Sequence, residues 1–202
     1  MKKLDLTKID KIYYSAGKQP AVVDLDSYYF LTISGQSAPE DPLFDQAIGK
    51  IYALAYAIKF SLKTEDRDFI VPKMEAFWFI KGGPEEQAKF ADTPREEWCW
   101  KIIIRMPDFV EKAHYTAALS QVATKKKMDV SDVKFELINE GRSVQMMHFG
   151  SYDEETPTIE ALHKYIVGEG LTIANYHHEI YLSDPRKTTE EKLKTIIRYA
   201  VA

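Results

Sequence analysis

An α+β fold is the architecture this 202-residue sequence predicts: two pseudo-repeated strand–helix–strand–strand units whose antiparallel sheet forms a concave ligand cleft. Three observations carry it. Short runs rich in β-branched and aromatic residues, ended by Gly or Pro, alternate with longer runs whose apolar residues recur at helical spacing. The order of these runs repeats once along the chain. The strand faces assigned by that repeat leave one face too aromatic to be comfortable in water.

Residues 1–20 are mixed and polar, with Ile12-Tyr13-Tyr14 as a small apolar anchor, and residues 21–25 read as an edge strand. Residues 28–34 are β-rich and stop at Gly35. Pro39 to Pro42 is a turn, and Asp41 or a neighbour caps a helix over 43–62, where Phe44, Ile48, Ile51, Leu54, Ala55 and Ile58 recur at helical spacing. Tyr52 and Tyr56 lie one turn apart on a neighbouring face of that helix. After a charged loop, residues 71–80 form a strand ended by Gly82-Gly83-Pro84. A polar loop over 85–97 precedes a strand over 98–106, and a second helix covers 110–127. Residues 135–138 and 144–149 are strands joined through a turn at Glu140-Gly141. A third helix begins at Pro157, reaches about Val167 and is closed by Gly168 and Gly170. Residues 177–182 and 193–201 are the last strands, separated by a charged loop.

The repeat is visible in local matches. Phe30-Leu31-Thr32-Ile33-Ser34-Gly35 matches Met146-Met147-His148-Phe149-Gly150-Ser151, and both lead through an acidic linker to a proline at a helix start, Pro42 and Pro157. Phe77-Trp78-Phe79 matches Ile180-Tyr181-Leu182, and Lys101-Ile102-Ile103-Ile104-Arg105 matches Lys194-Thr195-Ile196-Ile197-Arg198. The expected organisation is an N-terminal segment, 1–27, followed by one domain, 28–202. The domain's repeats run over about 28–107 and 144–202 and are linked by the helix over 110–127.

Composition narrows the classes of function. A net charge of −4 gives no bulk attraction to polyanions, and Lys125-Lys126-Lys127 reads as a helix end, so direct nucleic-acid binding is not expected. Cys99 is the only cysteine, which excludes an intrachain disulfide and a metal site built on thiolates. No spacing calls for a metal or an organic cofactor, and adjacent His177 and His178 face opposite sides of a strand. With no apolar leader and no uncharged run of spanning length, a cytoplasmic protein without membrane association is expected.

The residue that draws attention is Glu179. In the strand His177-His178-Glu179-Ile180-Tyr181-Leu182, Ile180 and Leu182 point one way, and His177, Glu179 and Tyr181 the other. Glu179 lies either on a solvated sheet face or in a pocket, where it must find a partner or shift its pKa. The repeat assigns Leu31, Ile33, Met147 and Phe149 to a face under the helices. It assigns Phe30, Thr32, Met146 and His148 to the opposite face with Glu179, where Trp78 is the counterpart of Tyr181 and Ala76 that of Glu179. A cleft between the halves, aromatic-walled and holding one carboxylate and one imidazole, would resolve that face. Trp98 and Trp100 share a strand face and either line the cleft or cap the core. Glu75 is a second carboxylate candidate on the Phe77 and Phe79 face.

These residues carry a family resemblance. Gly150-Ser151-Tyr152-Asp153, the run His178-Glu179-Ile180-Tyr181-Leu182-Ser183-Asp184-Pro185, the run Lys194-Thr195-Ile196-Ile197-Arg198-Tyr199, and Tyr29 to Gly35 with its long following helix resemble the GyrI-like small-molecule-binding domain, from Tyr28 onward. The resemblance implies a concave cleft between two repeated units. In that family the fold also serves as the effector domain of multidrug-responsive transcription activators, whose glutamate at the position of Glu179 contacts ligands, often cationic aromatic ones. No helix-turn-helix is recognisable before Tyr28, so a stand-alone form is expected.

Stand-alone members include hydrolases of cyclopropane-bearing, DNA-alkylating natural products. Applied here, that chemistry puts a flat aromatic substrate between Trp78, Tyr181 and Trp98 or Trp100, with Glu179 as general base raised in pKa by an apolar pocket. His148, Tyr115 or another donor would meet charge on the dienone oxygen, and Met146 and Phe30 would add to the wall. The alternative is a non-catalytic drug-binding protein, or a modulator of a partner such as DNA gyrase.

Overall fold

The computed structural model describes residues 3–82 and 86–202, so Gly83 and Pro84 of the expected turn lie outside the described residues. Two single-turn helices, α1 (Leu6–Ile9) and α2 (Lys11–Tyr14), precede the edge strand β1 (Ala21–Asp24) and β2 (Ser27–Gln36). Helix α3 (Pro42–Lys63) begins where the Asp41 side chain accepts the Leu43 N–H at 2.8 Å, with Pro42 in the first turn. Strand β3 (Glu75–Phe79) is shorter than expected, because Pro72 brings no N–H to a ladder. The expected polar loop carries two 3₁₀ turns, Glu86–Asp92 and Arg95–Glu97, before β4 (Cys99–Arg105). Helix α4 (Lys112–Lys126), β5 (Lys134–Asn139) and β6 (Arg142–Phe149) follow. Helix α5 (Thr156–Gly168), β7 (His177–Tyr181) and β8 (Lys194–Ala200) complete the chain.

Among the described residues eight strands form one antiparallel sheet in the order β1-β6-β8-β7-β3-β4-β2-β5. The triplet β6-β8-β7 mirrors β2-β4-β3, with α5 answering α3, and the two triplets meet where Ala76 of β3 pairs with Glu179 of β7. The predicted repeat is thus the symmetry of the sheet.

The faces depart from the prediction in an instructive way. Residues directly opposite in an antiparallel pair share a face. Glu179 pairs with Ala76, which packs in the core under α3 and α4, and with Ile197, which packs in the core under α5. Glu179 therefore lies on the helix-bearing face, not opposite it. Leu31 and Ile33 pack under the helices as expected, whereas Met147 does not, and Phe149 is exposed. Phe30, expected beside Glu179, packs on the other side of the sheet, and Thr32 faces Glu136 there. The cause is a one-residue slip in matching β2 to β6: side chains alternate with period two, so the slip inverts the faces of β6 relative to those of β2.

The opposite face is covered by the start of the chain. Leu6, Tyr13 and Tyr14 close over Leu25, Phe30, Phe77, Ile103, Met147, Ile180 and Ile196. Asp10 fixes this cover, accepting the Tyr13 N–H at 3.0 Å and pairing with Arg105 at 2.7 Å. Beneath it runs a buried polar network. The Tyr13 hydroxyl donates to Glu75, His178 sits between Glu75 (3.1 Å) and Glu140 (2.9 Å), and Arg198 joins Glu140 (3.0 Å) to the Tyr13 carbonyl (2.6 Å). Glu75 is thereby a fully buried structural acid on the Phe77 face, and His178 faces away from His177.

Candidate functional site

A cleft opens on the helix-bearing face over the middle of the sheet, between α3 and α5. Its floor comes from β3 and β7. Trp78 donates its indole N–H to the Tyr181 hydroxyl at 3.0 Å, which fixes two aromatic rings side by side. Phe44, Ile48 and Tyr52 of α3 form one wall, with Phe44 5.1 Å from the Trp78 ring. Trp98 stands at 6.1 Å from Trp78 and is backed by Phe90 at 4.4 Å. Tyr152 sets its ring edge-on to Tyr181 at 5.6 Å, and Ile159 and His163 of α5 line the facing wall.

One end of this aromatic slot is polar. Glu179 meets His177 Nε2 at 2.8 Å, while His177 Nδ1 meets the Tyr199 hydroxyl at 2.6 Å. Glu155, the residue just before α5, brings its Oε2 to 3.8 Å from the same His177 Nε2. Its other oxygen, Oε1, is buried without a hydrogen-bond partner. Burial and the neighbouring Glu179 carboxylate raise the Glu155 pKa to about 7. Burial opposes the charged form of His177, but Tyr199 and the two carboxylates outweigh it and hold the imidazole well above its usual value. Burial, then Glu179, pushes the Tyr181 phenol well up, and the same causes take Tyr152 to about 12. The three acid–base groups lie within 4.8 Å of one another, a spacing that would admit a cation.

Glu179, Trp78 and Tyr181 all line the cleft, and so does Trp98. The other expected residues do not converge there. His148 shares the face of Glu179, but its two nitrogens bind Thr158 Oγ1 and the Ser151 carbonyl, both at 3.0 Å. Met146 is core under α5. Trp100 is buried behind Trp78, bonded to Ser37 Oγ at 3.0 Å. Tyr115 of α4 gives its hydroxyl to the Val133 carbonyl at 2.8 Å and stacks on Phe135. Phe30 is across the sheet.

The place of Glu155, Tyr152, Tyr199 and the α3 residues in the cleft escaped the sequence reading. Glu155 was hidden in the acidic run Asp153-Glu154-Glu155, which reads as a linker. Its signal was Pro157, which marks a helix start and so sets a carboxylate at that end of the sheet.

The chain and its fold are similar to known proteins. The family model for the GyrI-like small molecule binding domain matches residues 18–201. A crystal structure of an uncharacterized conserved protein from Listeria innocua superposes with a TM-score of 0.92 at 37% identity, covering 99% of this chain and 100% of the other. Two crystal structures of hydrolases from Listeria innocua superpose with TM-scores of 0.86. One is 35% identical, with 99% of this chain and 100% of the other covered. The second is 36% identical, with both chains covered in full, 100% and 100%. No curated protein matches the chain.

Proposed function

This chain belongs to the GyrI-like family of small-molecule-binding domains, and from that premise we propose that it is a hydrolase opening the activated cyclopropane of spirocyclopropane dienones, with Glu179 as general base. The observation that carries the reading is a carboxylate at the polar end of a slot walled by Trp78, Trp98, Tyr181 and Phe44. Flat aromatic ligands stack on such walls, and a buried carboxylate there has little use except to meet a proton or a positive charge. The two similar Listeria innocua proteins described as hydrolases support a hydrolytic reaction.

In this reading Glu179 accepts a proton from water as the water oxygen bonds to the cyclopropane methylene. The C–C bond to the spiro carbon breaks, and its electron pair aromatises the ring and ends on the former dienone oxygen. His148 and Tyr115 are committed elsewhere, so Tyr152, whose ring lies at the cleft wall, takes the place of donor to that oxygen.

The test is loss of dienone absorbance on a spirocyclopropane dienone substrate. The native protein is expected to turn over, and Glu179→Gln to bind the substrate but lose about 100-fold or more in rate. Stoichiometric binding without turnover by the native protein would overturn the hydrolase. It would favour a drug-binding protein instead, a reading that the two acidic groups at one end of an aromatic slot also suit through attraction to cationic ligands.

A further inference from the structure

Glu155 has no role in the reaction as written, yet it is one of the most constrained side chains in the cleft. It is 5% exposed, and no lysine or arginine among the described residues pairs with it or with Glu179. Arg186, which also lines the cleft, pairs with Asp184 instead. The groups facing Glu155 are His177, Glu179 and Tyr181 on β7, Tyr199 on β8, Tyr152 just before α5 and His163 within it. Two carboxylates beside a single imidazolium leave this trio one negative charge in excess, so one further proton is readily taken up. The unpartnered Oε1 points the same way: a buried ionised oxygen without a donor is costly, whereas a carboxylic acid is much less penalised.

We propose that Glu155 is the proton store of this site. Through His177 it receives the proton that Glu179 takes from water, so that Glu179 returns to carboxylate before the product leaves. The geometry divides the labour. His177 Nε2 stands 2.8 Å from Glu179 and 3.8 Å from Glu155, and Tyr199 anchors the ring by the other nitrogen. In the resting state His177 carries its Nε2 proton and both glutamates are carboxylates. Glu155 closes the 3.8 Å gap to Nε2 and takes its proton, Glu179 takes a proton from the attacking water, and that proton passes on to His177. His177 and Glu179 end as they began, and Glu155 has gained one proton. Glu155 later gives it up to solvent while the product's phenolate gains one from solvent. The sum is one water added across the broken C–C bond, with no other reactant consumed.

The catalytic half of this inference rests on the hydrolase reading; the shared proton does not. The first measurement is infrared difference spectroscopy of the unliganded protein from about pH 5 to about pH 9, following the carbonyl stretch of a protonated carboxyl group. Native protein should show one such signal vanishing near pH 7, at the value expected for Glu155. The signal should be absent in Glu155→Gln. It should move to lower pH in Glu179→Gln, which removes a like charge, and to higher pH in His177→Gln, which removes the cation that opposes it. If no carboxyl titrates above about pH 6, or if the signal survives in Glu155→Gln, the proton store is wrong whatever the enzyme does.

The second measurement is the pH profile of turnover. Glu155→Gln should keep its KM, lose about tenfold or more in kcat, and lose the acid limb near pH 7 that arises when the store is already filled. Unchanged kcat and an unchanged limb would overturn the role. Absence of turnover by native protein would sink the hydrolase while leaving the infrared result to decide the shared proton.

Discussion

Trp78 and Tyr181 face each other across the join between β3 and β7, and the indole N–H of one ends on the hydroxyl of the other. Trp78 is buried and its indole N–H ends on the Tyr181 hydroxyl, which also meets Glu179. Tyr181→Phe keeps the ring but strands the indole donor, which should cost about 1–3 kcal/mol in urea unfolding. The double change Trp78→Phe with Tyr181→Phe should cost less than the sum of the two single changes, because the second removes a donor already orphaned. Glu179, Trp78 and Tyr181 were legible because period-two alternation within a single strand is a local property. The second carboxylate was not, since nothing in its own sequence links Glu155 to a strand more than twenty residues later; α5 and its packing make that link.

At the scale of elements, the tight β5–β6 connection matters as much as either strand. Gly141, with φ of 57°, lets the chain reverse there, and the reversal presents Glu140 to His178 and Arg198 under the N-terminal cover. Burial would raise the Glu140 carboxyl, but the positive charges of His178 and Arg198 prevail and hold it at about 2, from an ordinary 4.5. Its stabilising contribution is therefore complete above about pH 4.5 and is lost as pH falls toward 2. His178 runs the other way. Burial disfavours its charge, but Glu140 and Glu75 raise its pKa above 6.5, so its contribution is complete below 6.5 and declines as pH rises through the raised value. Glu140→Gln should thus be most damaging between about pH 4.5 and 6.5, costing about 3–5 kcal/mol because Arg198 stays buried without its counter-charge. Unfolding midpoints across that range, compared with those near pH 3, check the prediction. The strands and the turn were readable from β-branched runs and Glu140-Gly141. The network was not, because its members come from residues 10 to 198 and only the tertiary fold assembles them.

Over the whole molecule, the near-symmetry of the sheet was legible while its sidedness was not. Four local matches in the same order sufficed to recognise two units, but a single-residue slip between Phe30 and Met146 placed the cleft on the wrong side. Residues 1–20 read as a mixed, polar stretch with a small anchor at Ile12-Tyr13-Tyr14; in the fold Leu6, Tyr13 and Tyr14 roof the sheet face opposite the cleft. Removing residues 3–16 should therefore leave Phe30, Phe77, Ile103, Ile180 and Ile196 open to solvent. Dye binding to exposed apolar surface, with loss of cooperative melting, is the expected result. The same roof has a consequence for biosynthesis. Tyr13 emerges from the ribosome far ahead of Arg198, whose guanidinium it receives at 2.6 Å, and a chain made at roughly 5–20 residues per second spends about ten seconds or more with the roof complete and nothing finished beneath it. During that interval the nascent chain presents apolar strands to water or to chaperones, and the last strand to appear is the one that latches Tyr13 down.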